Sequence, residues 1–196
     1  RDRSPSRGLG DVYKRQAYRN GVYVAFNGCN TTNPTESDIK YFNLMKAWDA
    51  RNCIDFKFIN SHEKTSAVRD SSKIVTLKNR LQERMRNSKS MLLVITNHSN
   101  ANRGILGWEI EKCVKTYNLP IIVAYTMCSG KLLSTSSYQR YWPGKLQNFI
   151  NNDEVKTIHI PFKKEVLLKA LDEFSVSNMP SYTVTVYKES VYYGLS

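Results

Sequence analysis

Long apolar runs, paired cysteines and glycine-rich nucleotide motifs are all missing from this 196-residue chain. No apolar run reaches the roughly 18 residues needed to span a bilayer, and no basic segment leads into an apolar one with a small-residue cleavage site. These absences predict a cytoplasmic protein that meets no membrane. Cys29, Cys53, Cys113 and Cys128 form no CxxC pair, and two of them sit in apolar runs or on a core stripe. Buried reduced thiols are expected, rather than disulfides or a metal cluster. His62, His98 and His159 are scattered without HxxxH spacing, so no metal site is expected. Neither GxGxxG nor GxxxxGKS/T occurs, which argues against a standard dinucleotide fold and a P-loop NTPase.

What is present suits one well-filled domain, with 41% hydrophobic and 23% charged residues. Lysine and arginine outnumber aspartate and glutamate by 29 to 17, a net charge of +12. Part of that excess lies in RDRSPSRGLGDVYKRQ, which has no apolar periodicity and whose ending, DVYKRQ, resembles the translated end of a transposase adapter. Residues 1–16 are therefore read as a non-native or disordered arm. The arm carries five basic and two acidic residues, and without it the charge is still +9. A basic surface suits anionic ligands such as nucleotides. It is weak ground for nucleic-acid binding, for which an exposed aromatic platform is also wanted, so no nucleic-acid partner is expected.

The chain is organised around Gly104–Thr126, GILGWEIEKCVKTYNLPIIVAYT. At about 100° per residue, Leu106, Ile110, Cys113, Val114 and Tyr117 share one helical stripe. Glu109 borders that stripe on one side and Glu111 on the other, so the two carboxylates cannot enter one crevice. Asn118 and Pro120 stop the helix, and Ile121–Tyr125 reads as a strand covered on both faces. On this pattern alone Glu109, early in a helix, reads first as a solvated residue favoured by the helix dipole.

Further strands are expected at Gly21–Phe26, Ile54–Ile59, Met91–Ile95 and Val155–Ile160. Helices are expected after Ser37, from Ser71 or Ser72 to about Asn87, and over Lys163–Phe174. Asp38, Tyr41, Phe42, Met45 and Trp48 recur at helical spacing, and the aromatics among them read as packing residues. Asn60–Ser72 is a long polar loop, of the kind that often carries function. Met127–Gly144 reads as irregular structure with one short helix, and 176–196 as a tail that is loose or pairs as an edge strand. Alternating strands and helices imply a five-stranded, mainly parallel sheet with helices on both faces, an α/β fold spanning residues 17–175. Ligands bind beyond the carboxyl ends of such strands. That rule gathers Phe26–Gly28, the Asn60–Ser72 loop, Thr96–Arg103 and the Glu109 helix along one rim.

VYVAFNG, YFNLMKAW, DFKFINSH, AVRDSSK, LQERMRNSKSMLLVI and GWEIEKCVKTYNLPIIV together resemble the TIR-like proteins of the bacterial Thoeris antiphage system. The likeness runs from about Gly21 to Val123, with a weaker echo to Phe174. It implies a flavodoxin-like TIR fold and an enzyme that cleaves the nicotinamide–ribose bond of NAD on phage infection. It also implies a cyclic ADP-ribose-type product that activates a separate effector protein, a phage-derived trigger, and homo-oligomeric assembly when active. NAD is then a substrate and no cofactor is expected. TIR enzymes depend on a glutamate in the helix after the third strand. Counting back from Ile121–Tyr125 gives Glu109, with Glu111 as the less favoured alternative, since many TIR domains place the glutamate a full turn after the tryptophan. Phe26 and Trp108 become candidates to stack on a base, or remain packing residues. Asn27 and Gly28 become candidates to approach ribose or phosphate. Arg69 suits the pyrophosphate, with Ser71 near it at a helix N-terminus and Asp70 beside it as a further substrate-binding candidate. The plain readings are a surface ion pair for Arg69 and Asp70 and a helix cap for Ser71.

Overall fold

Three short runs are buried from end to end: β1 (Gly21–Ala25), β4 (Ile121–Tyr125) and β5 (Thr157–Pro161). A fourth, β3 (Ser88–Ile95), is buried everywhere except Lys89. Consecutive buried residues require cover on both faces, which is the condition of a parallel sheet. The computed structural model describes residues 19–27, 38–52, 57–60, 71–100 and 105–195. In it these strands join β2 (Lys57–Asn60) and β6 (Val184–Val186) in the order β2-β1-β3-β4-β5-β6, with every pairing parallel.

Helices cover both sides, as the α/β reading requires. Alternate strand residues such as Tyr23, Leu93 and Val123 pack with α2 (Ser71–Arg86), α3 (Leu106–Lys115) and α4 (Gly144–Asn151), through Leu81, Ile110 and Leu146. Their neighbours Val24, Val94 and Ala124 pack with α1 (Ile39–Asn52) and α5 (Lys164–Glu173), through Phe42, Met45 and Leu167. Each large apolar side chain buried this way contributes about 1.5–3 kcal/mol. The stripe on α3 is the expected one, with Leu106, Ile110, Cys113 and Val114 all buried. It ends as expected too: Asn118 takes φ 50° and lets the Leu119 N–H reach the Cys113 carbonyl at 2.9 Å.

Among the described residues the sheet has six strands, the five expected and the edge strand left open for the tail. The segment after α5 passes the foot of β3, where the Val176 N–H bonds the Lys89 carbonyl at 2.8 Å, and then forms β6 along β5. A last helix, α6 (Glu189–Tyr193), buries Tyr192, whose hydroxyl bonds the backbone of Leu132. The sequence reading also passed over α4, whose two turns carry only Leu146 and Phe149 as buried residues. Strand β5 begins at Thr157, later than the sequence pattern suggests, and residues 54–56, expected in β2, lie outside the described residues. Cys113 and Cys128 are buried free thiols. Among the described residues no helix is long and apolar enough to cross a membrane.

A chain of polar groups lies between β4, β5 and the segment before α4. Trp142 Nε1 donates to the Tyr125 hydroxyl at 2.7 Å, and that hydroxyl lies 2.7 Å from His159 Nδ1. His159 Nε2 lies 2.8 Å from Thr157 Oγ1, which donates its own proton to the Thr183 carbonyl. Thr157 must therefore accept from Nε2–H, and Tyr125 must donate to Nδ1. One neutral tautomer satisfies every group. Burial holds His159 down at about 3. The unfolded chain binds this proton near the ordinary value of about 6.5, whereas the folded chain refuses it until about pH 3. The stability it contributes is full above the unfolded value and is lost as pH falls between those limits. Urea titrations from pH 7 to 5 should show wild-type stability falling by up to about 1.4 kcal/mol per pH unit. His159→Gln, less stable at pH 7, should lack that component; an equal slope in both proteins would contradict a His159 held neutral by burial.

Candidate functional site at the carboxyl ends of the strands

From β1 the chain turns outward to α1 and β2, and from β3 it turns the other way to α3 and β4. Connections that part in this manner leave a crevice above the ends of β1 and β3. Asn27, just past β1, is buried and donates from Nδ2 to the His98 carbonyl at 2.7 Å, tying the two strand ends together. After β3, the Thr96 N–H donates to Ser99 Oγ at 2.8 Å and the Ser99 N–H returns to the Thr96 carbonyl at 3.2 Å. Thr96 Oγ1 donates to Asp38 Oδ2 at 3.0 Å, so the first turn beside α1 joins the same cluster. Desolvation raises the Asp38 carboxyl above the usual range, opposed by the Thr96 hydrogen bond and then by Lys40 and His98.

Glu109 occupies the first turn of α3, where the exposed helix N–H groups favour a negative charge. Its side chain is fully buried. Tyr23, in the middle of β1, points to the same side of the sheet and donates its hydroxyl to Glu109 Oε1 at 2.5 Å. Burial pushes the Tyr23 hydroxyl well above the ordinary tyrosine value; the Glu109 charge and hydrogen bond add to it, Cys113 adds less, and Arg84 opposes. The phenol therefore stays a donor throughout the physiological range. Cys113, one turn further along α3, is raised first by its own burial and then by Glu109.

Glu111 faces elsewhere. Its Oε2 lies 2.8 Å from Lys145 Nζ on α4, with about half of each side chain exposed (47% and 49%). The Lys145 hydrogen bond and charge hold its carboxyl below the usual range. The two glutamates thus stand in opposite settings, one sealed beside β1 and one in solvent beside α4. Trp108 between them is half-buried, with Lys78 Nζ 5.3 Å from the ring centroid. Phe26 is buried and packs on Phe42, ring centroids 6.5 Å apart.

Gly28, Arg69 and Asp70 lie outside the described residues, and of Ser71 the structure gives its place as the first residue of α2. Ser37, after which a helix is expected, also lies outside them. Asn27 lies at the rim, tied to His98, whereas Glu109 is enclosed beside Tyr23 in the middle of β1; Glu111 and Lys145 form a pair at the flank. Sequence reasoning missed Tyr23, and it noted Asp38 for its helical spacing without giving it a role. A tyrosine inside a run as apolar as GVYVAF was the available signal, since a buried phenol needs a partner. Among the described residues no cluster of three or more His, Cys, Asp or Glu is placed to hold a metal ion.

A doubly wound α/β domain with polar groups gathered above β1 and β3 is the flavodoxin-like arrangement of TIR domains. The family model for the Thoeris protein ThsB, TIR-like domain, matches residues 23–129, more than half of the chain. The protein belongs to this family and is a TIR-domain defence protein. The matched span opens on Tyr23 and contains Glu109, while α4, β5, α5 and the tail follow it.

The Asp38–Thr96 contact is open to direct test. Thr96→Val should cost about 1–3 kcal/mol, because it leaves a buried carboxylate without its donor. Asp38→Asn should be neutral or stabilising at pH 7, with that advantage shrinking as pH falls toward the ordinary carboxylate range. Urea denaturation of both variants at pH 7 and pH 4 reads this; a harmless Thr96→Val would show that the bond carries no stability.

Proposed function

We propose that this protein cleaves the nicotinamide–ribose bond of NAD during phage infection and converts the remainder into a cyclic ADP-ribose-type signal for a separate effector. The observation that carries this reading is a carboxylate in the first turn of α3, at the position the family resemblance assigns to the essential glutamate, withdrawn from solvent and fixed by a hydrogen bond. The chemistry needs little else from the protein at the reacting carbon. The C1–N bond breaks with its electron pair going to the pyridinium, so nicotinamide leaves neutral and the ribose becomes oxocarbenium-like. A fixed carboxylate in a dry site stabilises that cation and can hydrogen-bond the ribose hydroxyls. A nucleophile within the same bound nucleotide then attacks the cation and loses a proton, and proximity favours this closure over attack by water. Asn27, Gly28, Arg69, Asp70 and Ser71 are the proposed contacts to ribose and phosphates, and Trp108 and Phe26 the proposed aromatic neighbours of a base. Assembly into oligomers and a phage-derived trigger complete the proposal.

A second reading has its own observation. Glu109 is wholly enclosed and its Oε1 is bonded to Tyr23, as in a satisfied structural pair. On that reading the protein is a non-catalytic TIR module acting through its surface.

NAD turnover and mass spectrometry of products in phage-infected cells separate the two. Wild type and Glu111→Gln should release nicotinamide and form an ADP-ribose-type product, while Glu109→Gln should lower both by at least about a hundredfold, the scale of losing a transition-state electrostatic partner. Product formation that depends on Glu111 instead would move the catalytic role to that residue. Protection from phage with no product from wild type would favour the interaction module.

A further inference from the structure

We infer that Tyr23 is a positioning residue for NAD cleavage, a phenol that fixes the orientation of the Glu109 carboxylate from the middle of the sheet; the inference rests on the NAD-cleaving reading above. Packing alone does not call for this hydroxyl. Tyr23 sits among Met91, Leu93, Ile110 and Cys113 on the α2–α3 side of the sheet, where a phenylalanine would fill the same space. The polar atom it adds meets one side-chain acceptor, Glu109 Oε1, 86 residues away in sequence. Burying a phenol is costly unless its donor is used, so the bond is the reason for the oxygen.

The two ends of that bond differ in stiffness. Tyr23 is anchored in β1, which is paired on both sides, to β2 and to β3, and is buried at every position. Glu109 reaches the same point from a helix on a side chain with three rotatable bonds. A tyrosine with two rotatable bonds, rising from a strand, is the rigid partner and fixes the glutamate rather than the reverse. Hydrogen bonds to an ionised group are among the stronger ones in proteins. A carboxylate held so has one oxygen committed to the phenol and its plane set before substrate arrives, which is the preorganisation that cation stabilisation requires. Besides Glu109, the titratable and charged groups acting on the Tyr23 hydroxyl are Cys113 on α3 and Arg84 on α2.

The test uses full-length protein purified from infected cells, as wild type, Tyr23→Phe, Glu109→Gln, and a form with 3-fluorotyrosine at position 23. Tyr23→Phe should lower kcat for nicotinamide release by about tenfold to a hundredfold while KM stays within about twofold. The acid limb of its pH–rate profile should move to higher pH, because the carboxylate has lost a donor that favours its charged form. The fluorinated phenol is a stronger donor of nearly the same size and should move that limb to lower pH with the urea midpoint unchanged. A purely structural hydroxyl predicts otherwise: a lower urea midpoint in Tyr23→Phe, with kcat per folded molecule and the acid limb unmoved in both altered proteins. That result overturns the inference. Carbon-13 titration of the Glu109 carboxyl reads the same coupling without turnover. It should displace upward in Tyr23→Phe and downward in the fluorinated form, and no displacement overturns the inference whatever the activity. Full activity in Glu109→Gln, or none in wild type, counts instead against the NAD-cleaving reading.

Discussion

A parallel strand covered on both faces has no wet side on which to leave a polar group, so a polar side chain in β1, β3, β4 or β5 must find its partner inside the molecule. The positions of such groups in this protein follow from that constraint. Tyr23 in β1 is answered by Glu109 on α3. Tyr125 and His159, in adjacent strands, are answered by each other and by Trp142 and Thr157. Ser90 in β3 is the exception, with a buried hydroxyl that meets no hydrogen-bond partner among the described residues. These two clusters pin α3 and the segment before α4 to particular strands, which generic apolar packing does less sharply.

The same constraint separates carboxylates of one chemical type into different roles. Glu109 is buried and phenol-bound, Asp38 is buried at the rim with its carboxyl raised by desolvation, and Glu111 is solvated with its carboxyl lowered by Lys145. Glu109 combines exclusion of water with a phenol-fixed orientation in the first turn of α3, the position that the family resemblance assigns to the essential glutamate. A charge prepared in this way has its greatest effect on a cation that forms beside it, because solvent is absent and no reorganisation is needed. The proposed cleavage of NAD makes such a cation.

Much of the fold was legible because its signals are local. The apolar runs at Val22–Phe26, Met91–Ile95 and Ile121–Tyr125, and the stripe through Leu106, Ile110 and Cys113, announce buried strands and an amphipathic helix without reference to anything distant. Helix α4 escaped because two turns with two buried residues give little periodicity, and β6 was left open because its three residues are only half-buried at the sheet edge. The site was harder. The placement of Glu109 and Glu111 on opposite borders of one stripe was readable from 3.6-residue periodicity, and the structure puts them on opposite flanks of α3. The Tyr23–Glu109 and Asp38–Thr96 contacts join residues 86 and 58 positions apart, and no local pattern encodes such pairings.

The central claim is that Glu109 faces the ribose carbon from which nicotinamide departs. A crystal structure with a non-cleavable carba analogue of NAD tests it most directly. The account predicts the nicotinamide-bearing ring within hydrogen-bonding reach of the Glu109 carboxylate, above the ends of β1 and β3, with the Tyr23 bond intact. An analogue seated with that ring against Glu111, or Glu109 still sealed in the core while the analogue binds elsewhere, would contradict it.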